Sequence, residues 1–287
     1  MTRWLDYREV RASPESTVVG DLRILPDLDW PEERQRRDVL VHLPPGAMTS
    51  GRRYPVLYMH DGQNLFDAAT SFAGEWQVDE TLESLAREGL ELIVVGVPNG
   101  GDRRAHEYTP FRTWYRLRRV GGGGSAYLRF LVDVVKPEVD ATFPTRPERE
   151  ATGIMGSSLG GLISLWAAIE HPSTFGLVGA MSPAVPPGQD SVLDRLRRLT
   201  PLPERVYLDV GGREAGDRRT GTVEVAHSRR FVGGVVAIRD ALEAAGLREP
   251  GSLRYLEDAE AYHHESAWAD RLPDALRFLF GPLTEAV

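Results

Sequence analysis

Two kinds of apolar pattern alternate along the chain. Tyr54–Met59 (Y-P-V-L-Y-M), Leu92–Val97 (L-I-V-V-G-V), Ala151–Met155, Leu177–Met181, Val206–Val210 and Leu253–Glu257 are short runs dominated by apolar residues. Such runs predict strands buried on both faces of a sheet. Thr17–Leu25 and Asp38–Leu43 are further strand-like runs with β-branched residues. Elsewhere the apolar positions recur every three or four residues. Trp76–Arg87 can place Val78, Leu82 and Leu85 on one helical face, and Tyr127, Phe130, Leu131 and Val134 make a second stripe. Leu159–Glu170, Asp190–Leu199, Val223–Ala245 and Ala267–Phe280 complete the predicted helices, with His171-Pro172 stopping the first of these. Strand–helix alternation of this kind predicts an α/β fold, a mostly parallel central sheet with helices on both faces. No helix separates the first two strands, so the sheet is expected to start antiparallel.

The turn-rich Leu43–Gly51 precedes the first buried run. Asn99–Ser125 lacks core periodicity and ends in four glycines, Gly121–Gly124, with Ser125 placed as an N-cap. No repeat or linker divides the chain. The expectation is one domain over residues 1–287, with an N-terminal strand-containing extension (1–35) and a lid or pocket excursion at 99–125.

Composition narrows the partners. The 287 residues carry a net charge of −8 and no cysteine. Thiolate nucleophiles, thiolate metal sites and disulfides are excluded. An acidic surface disfavours nucleic acid and anionic lipid. Arg3, Asp6, Arg8 and Glu9 break any signal-peptide core, and no apolar run is long enough for a bilayer. The expectation is a cytoplasmic protein with no membrane or nucleic-acid partner; homo-oligomerisation is left open.

Chemistry concentrates in Gly156-Ser157-Ser158-Leu159-Gly160, a G-x-S-x-G match lying between a predicted strand and a predicted helix. The glycines suit a chain that reverses within a few residues and holds a serine at a strained backbone angle. Ser158, at the motif's centre, is the candidate nucleophile. The plain alternative is a Gly/Ser-rich turn before a helix. Serine needs a base, and the base an orienting acid, in the chain order Ser, acid, His. His263 and His264 follow the last strand and precede the last helix; the spacing alone does not choose between them. Two adjacent histidines without a third ligand make a poor metal site. Glu214 and Asp217 lie just past the strand Val206–Val210, with Glu214 on the shorter path; Asp209 lies inside that strand. Solvated loop acids paired with Arg213, Arg218 or Arg219 are the plain alternative. Oxyanion donors are expected from the Leu159 amide and the loop His60–Asn64, with Gly62 favoured over Asp61 and Gln63. His60 is expected to be structural.

Jointly, several segments resemble the putative-esterase family of α/β-hydrolases, which includes enterochelin (siderophore) esterases, feruloyl esterases, S-formylglutathione hydrolases and mycolyltransferases. They are Y-P-V-L-Y-M-H-D-G-Q-N-L-F-D (54–67), R-A-H-E-Y-T-P-F (104–111), G-I-M-G-S-S-L-G-G-L-I-S-L (153–165), H-P-S-T-F-G (171–176) and Tyr262–Phe280. The H-D-G-Q form resembles the enterochelin-esterase-like branch. The resemblance aligns Ala261-Tyr262-His263 with the family's G-G-H and Trp268 with its tryptophan, which selects His263 over His264 as the base. Both glycines are replaced. It also aligns Gly211-Gly212-Arg213-Glu214 with the family's acid motif.

The resulting expectation is a serine carboxylic-ester hydrolase using Ser158, His263 and Glu214, with Leu159 and Gly62 as oxyanion donors and no cofactor or metal. Asp61, Gln63, Arg104, Tyr108 and Trp76 are candidate contacts for a small-molecule ester. Arg103–Arg119, with six arginines and four aromatics (Tyr108, Phe111, Trp114, Tyr115), is either a pocket wall or a surface excursion pinned by its rings. Arg104 and Glu107 are expected to pair and brace it. An acyltransferase or thioesterase with the same triad, and a non-catalytic binding protein on a hydrolase scaffold, are the rival readings.

Overall fold

The computed structural model describes residues 3–115, 118–184 and 190–284. Arg116 and the side chains of Trp114 and Tyr115, part of the expected pocket wall, therefore lie outside the described residues. In chain order the strands are β1 (Leu5–Asp6), β2 (Asp21–Trp30), β3 (Gln35–Leu43), β4 (Val56–His60), β5 (Ile93–Val97), β6 (Arg112–Tyr115), β7 (Arg118–Gly121), β8 (Thr152–Ser157), β9 (Leu177–Met181), β10 (Arg205–Arg213), β11 (Gly216–Asp217), β12 (Thr222–Val223) and β13 (Leu253–Tyr262). The helices are α1 (Tyr7–Val10), α2 (Val78–Arg87), α3 (Arg104–Glu107), α4 (Gly124–Arg129), α5 (Lys136–Thr142), α6 (Leu159–Glu170), α7 (Asp190–Leu196), α8 (Val225–Ala245) and α9 (Glu265–Thr284).

The main sheet runs β1-β2-β3-β5-β4-β8-β9-β10-β13. β1 to β3 are antiparallel to their neighbours, and everything from β5 to β13 is parallel. This is the α/β-hydrolase architecture. Side-chain alternation along each strand divides two cores. Val56 and Tyr58 of β4 and Val206, Leu208 and Val210 of β10 face the layer containing α4, α6 and α8. Leu57, Met59 and Tyr207 face α2 and α9 instead. Both faces are dry, which accounts for the unbroken apolar runs in the sequence.

The parallel order sends the carboxyl ends of β4, β8, β10 and β13 to one rim, where α/β sheets place their chemistry. The first long strand starts four residues later than the sequence pattern suggests. The reason is competition: carboxylates take the amides of this stretch, Thr17 N–H going to Asp67 and Val19 N–H to Asp79. Ser125 is not an N-cap; the helix begins at Gly124 after Gly123, and the Ser125 hydroxyl donates to Glu170 (2.7 Å). The excursion at 99–125 contains α3 and the β6–β7 hairpin. Among the described residues, no helix is long and apolar enough to cross a membrane.

The expected pairing of Arg104 with Glu107 does not occur. Glu107 is buried and takes a two-pronged ion pair from Arg37 of β3 (2.8 and 3.0 Å) together with the Gly100 amide. Removing one partner of a buried pair strands the other charge. Glu107→Ala is therefore expected to lower stability by about 3–5 kcal/mol, read from the urea midpoint.

Candidate active site

Ser158 sits between the end of β8 and the first residue of α6 with φ 58° and ψ −122°. A non-glycine residue rarely holds that conformation, and the surroundings must enforce it. They do so through the backbone. Ser158 N–H donates to Met181 O (3.0 Å), and its carbonyl accepts from Leu162 N–H (3.1 Å) and Ala184 N–H (2.8 Å). A Cβ on Gly156 would lie 2.8 Å from the His60 ring and 2.9 Å from the Gly160 backbone, so only glycine fits there. Gly160 is less constrained, since its nearest neighbour would be 3.4 Å away. Ser157 is buried, while Ser158 keeps partial exposure.

β13 ends at Tyr262 and α9 begins at Glu265, so His263 lies in the short turn between them. Its Nδ1 meets Glu214 Oε2 at 2.5 Å. With Nδ1 engaged, Nε2 is the nitrogen left for a reacting group. Glu214 follows β10 directly and is itself buried; its other oxygen accepts from Gly211 N–H (2.6 Å) and the Ser182 hydroxyl (2.7 Å). Gly211 and Gly212 belong to the last part of β10. Cβ atoms there would lie 2.4 Å from the carbonyls of Ala261 and Ala259, so the glycines admit the irregular end of β13 that carries the histidine. Asp217 lies in β11 and pairs with Arg219, whereas the carboxylate on the His263 imidazole is that of Glu214. His264 turns toward Arg218 and Ser266.

The sequence reading missed a buried layer behind this pair. Ser182, at φ 41°, donates to Glu214, and its hydroxyl receives Trp268 Nε1 (3.2 Å) and an Arg271 amine (3.4 Å). Arg271 forms a buried ion pair with Asp209 (2.7 Å). Burial pushes the Asp209 carboxyl up, with Arg271 opposing that shift. Trp268 stands edge-on to His263, with ring centroids 5.0 Å apart. Of this layer the resemblance had singled out Trp268, whereas Met181-Ser182-Pro183 after a strand carries no chemistry when read alone.

Across the rim, Asp61 caps a short 3-10 turn, Gly62–Asn64, with φ 56°. The Asp61 amide is already spent on the Tyr108 hydroxyl (3.1 Å). Among the described residues the Gly62, Gln63 and Leu159 amides meet no acceptor, as expected for first-turn N–H groups. That removes Asp61 from the three expected oxyanion alternatives. A Cβ on Gly62 would lie 2.7 Å from the Gly96 and Pro98 backbones, so the loop is packed directly on the end of β5.

The family model described as "Putative esterase" matches residues 32–279. The chain belongs to this family. It is thereby an ester hydrolase. It is 26% identical over 250 residues to the uncharacterized protein YbbA of Bacillus subtilis, covering 85% of this chain and 93% of that one. It is also 28% identical over 163 residues to a siderophore enterobactin esterase of Emericella nidulans, covering 52% of each chain; this esterase thus matches about half the length of that relative. The siderophore hydrolase EstA from Aspergillus nidulans superimposes with a TM-score of 0.70 at 22% identity, covering 93% and 95% of the two chains.

Several expected ligand contacts of this esterase are instead structural. Tyr108 is fully buried, its ring against His60 and Tyr127, and Trp76 is buried against Trp268. Neither offers surface to a substrate. Arg104 and Asp61 are bonded to each other through two contacts (2.7 and 2.8 Å), and Asn99 also donates to Asp61 (2.6 Å). Gln63 accepts from Asn99 N–H (3.1 Å) while remaining partly exposed. These residues fix the loop that presents Gly62. Unanticipated at the rim is Phe72, 93% exposed. Its amide donates to Asn64 of the Gly62 turn, and Gly74 lies beside His264.

Among the described residues, one group of carboxylates comes within metal-binding reach of itself: Glu75, Asp79 and Glu80. It lies outside the Ser–His–Glu arrangement. Burial pushes Glu75 up to about 7 and Asp79 well above the usual carboxylate range.

His60 packs under the elbow with Nδ1 on Tyr127 (2.8 Å), and burial lowers its pKa to about 3. The unfolded chain therefore binds a proton there that the folded esterase refuses between about pH 6.5 and 3. Stability is present above the upper value and falls as pH drops, by about 1.4 kcal/mol per pH unit at full effect. Urea unfolding of His60→Gln is expected to show a shallower loss from pH 6.5 to 4.5 than the wild type.

Proposed function

We propose that the protein is a serine esterase that cleaves carboxylic esters through an acyl-enzyme. The observation that carries this reading is the 2.5 Å contact from His263 Nδ1 to the buried Glu214 carboxylate. It is joined by the strained backbone of Ser158 at the same rim. The contact fixes the tautomer in which Nε2 is unprotonated and basic, and the carboxylate supports the charge that the ring acquires.

In the proposed cycle, His263 Nε2 removes the Ser158 proton as Oγ attacks the ester carbonyl. The Leu159 and Gly62 amides stabilise the oxyanion, helped by the positive end of α6. His263 then protonates the departing alcohol. Water, deprotonated by the same nitrogen, attacks the acyl-serine and releases the acid. Siderophore esters are the proposed substrate class, supported by the names of the relatives.

Ser158→Ala is expected to lower turnover of p-nitrophenyl acetate by ~10³-fold or more with the fold intact by circular dichroism. Wild-type turnover in that variant would end the proposal. His263→Ala is expected to be far more damaging than His264→Ala, compared by kcat on the same ester; the opposite ranking would move the base to the neighbour.

A further inference from the structure

We infer that Ser182 is a positioning residue of the active site, acting through Glu214. The inference rests on the serine-esterase reading and deepens it.

Ser182 is completely buried and follows β9 with φ 41°. Glycine adopts such a backbone freely, whereas a side-chain-bearing residue is strained there. A strained serine with no exposed surface is expected only where its hydroxyl is used. Here the hydroxyl makes three polar contacts. It donates to Glu214 Oε1 (2.7 Å) and receives Trp268 Nε1 (3.2 Å) and Arg271 Nη2 (3.4 Å). Its amide donates to Asp209, on both the carbonyl (3.0 Å) and Oδ1 (2.9 Å). The residue before it, Met181, accepts the Ser158 amide, and Ala184 donates to the Ser158 carbonyl. One four-residue turn therefore grips the nucleophile elbow by its backbone and the triad acid by a side chain.

The direction of these bonds matters. A carboxylate only accepts, so donors on Oε1 hold the Glu214 carboxylate with Oε2 turned to His263. Gly211 N–H is one donor and Ser182 is the other. The serine proton is committed to Glu214 because Trp268 and Arg271, both pure donors, occupy its acceptor side. Trp268 also stands edge-on to His263. The hydroxyl thus fixes acid and base relative to each other without touching substrate.

The backbone angle supplies the discriminating experiment. Ser182→Gly suits the conformation while deleting the hydroxyl. It is expected to fold, judged by circular dichroism and cooperative unfolding, yet to lose ~10–100-fold in kcat on p-nitrophenyl acetate with KM within about twofold, the size of effect typical of groups that orient a ligand from behind. In a Glu214→Gln background the same change is expected to cost little more, because the lost function is routed through the carboxylate. If the glycine variant does not fold, Ser182→Cys keeps the size and exchanges the hydroxyl for a weak donor, with the same readouts. Wild-type kcat in a folded Ser182 variant, a change confined to KM, or losses that multiply fully with Glu214→Gln would each overturn the inference. An active Ser158→Ala protein would instead overturn the underlying reading, so the two failures are separable.

Discussion

The buried carboxylate of Glu214 is where the architecture and the candidate chemistry meet. Three segments converge on it, the end of β10, the turn after β9 and the turn after β13, and Trp268 of α9 braces Ser182 from behind. A charge without access to water is tolerable only when every lone pair is answered. Answering those of Glu214 requires Gly211, Ser182 and His263 to arrive together. The order β8-β9-β10-β13 brings them to one rim, and the irregular β10–β13 pairing sets the histidine at the right height.

A second constraint lies on the opposite side of the elbow. Gly156 is packed against the His60 ring and Gly62 against the backbone of Gly96, Val97 and Pro98, so closely that no added methyl group fits at either glycine. His60 remains neutral because burial disfavours its cation, and Tyr127 holds its ring. The Asp61–Arg104 pair and the Tyr108 hydroxyl fix the turn that carries the Gly62 amide. The turn is therefore held by the protein's own contacts, which is what the proposed oxyanion role requires. Residues that looked like ligand contacts in the sequence are instead its scaffold.

Tyr262 illustrates how a departure from a family pattern can be absorbed. It stands where the resemblance has glycine, directly before His263. Its hydroxyl accepts from Arg213 (3.2 Å), and its ring lies against Gly216. The tyrosine thus ties the strand end that carries the histidine to the loop that carries the acid, a role glycine cannot fill.

Much of the fold was legible in the sequence because burial on both sheet faces leaves unbroken apolar runs, and Val56–His60, Ile93–Val97 and Leu177–Met181 are of that kind. Gly156–Gly160 marked the elbow because close backbone approach demands glycine locally. Polar partnerships across the chain left no such trace. Arg37 with Glu107, Arg104 with Asp61 and Ser182 with Glu214 join residues 70, 43 and 32 positions apart. A charged or hydroxyl side chain reads the same whether it meets solvent or a buried partner. Periodicity records which face of an element is dry, whereas only the packed molecule decides which donor meets which acceptor.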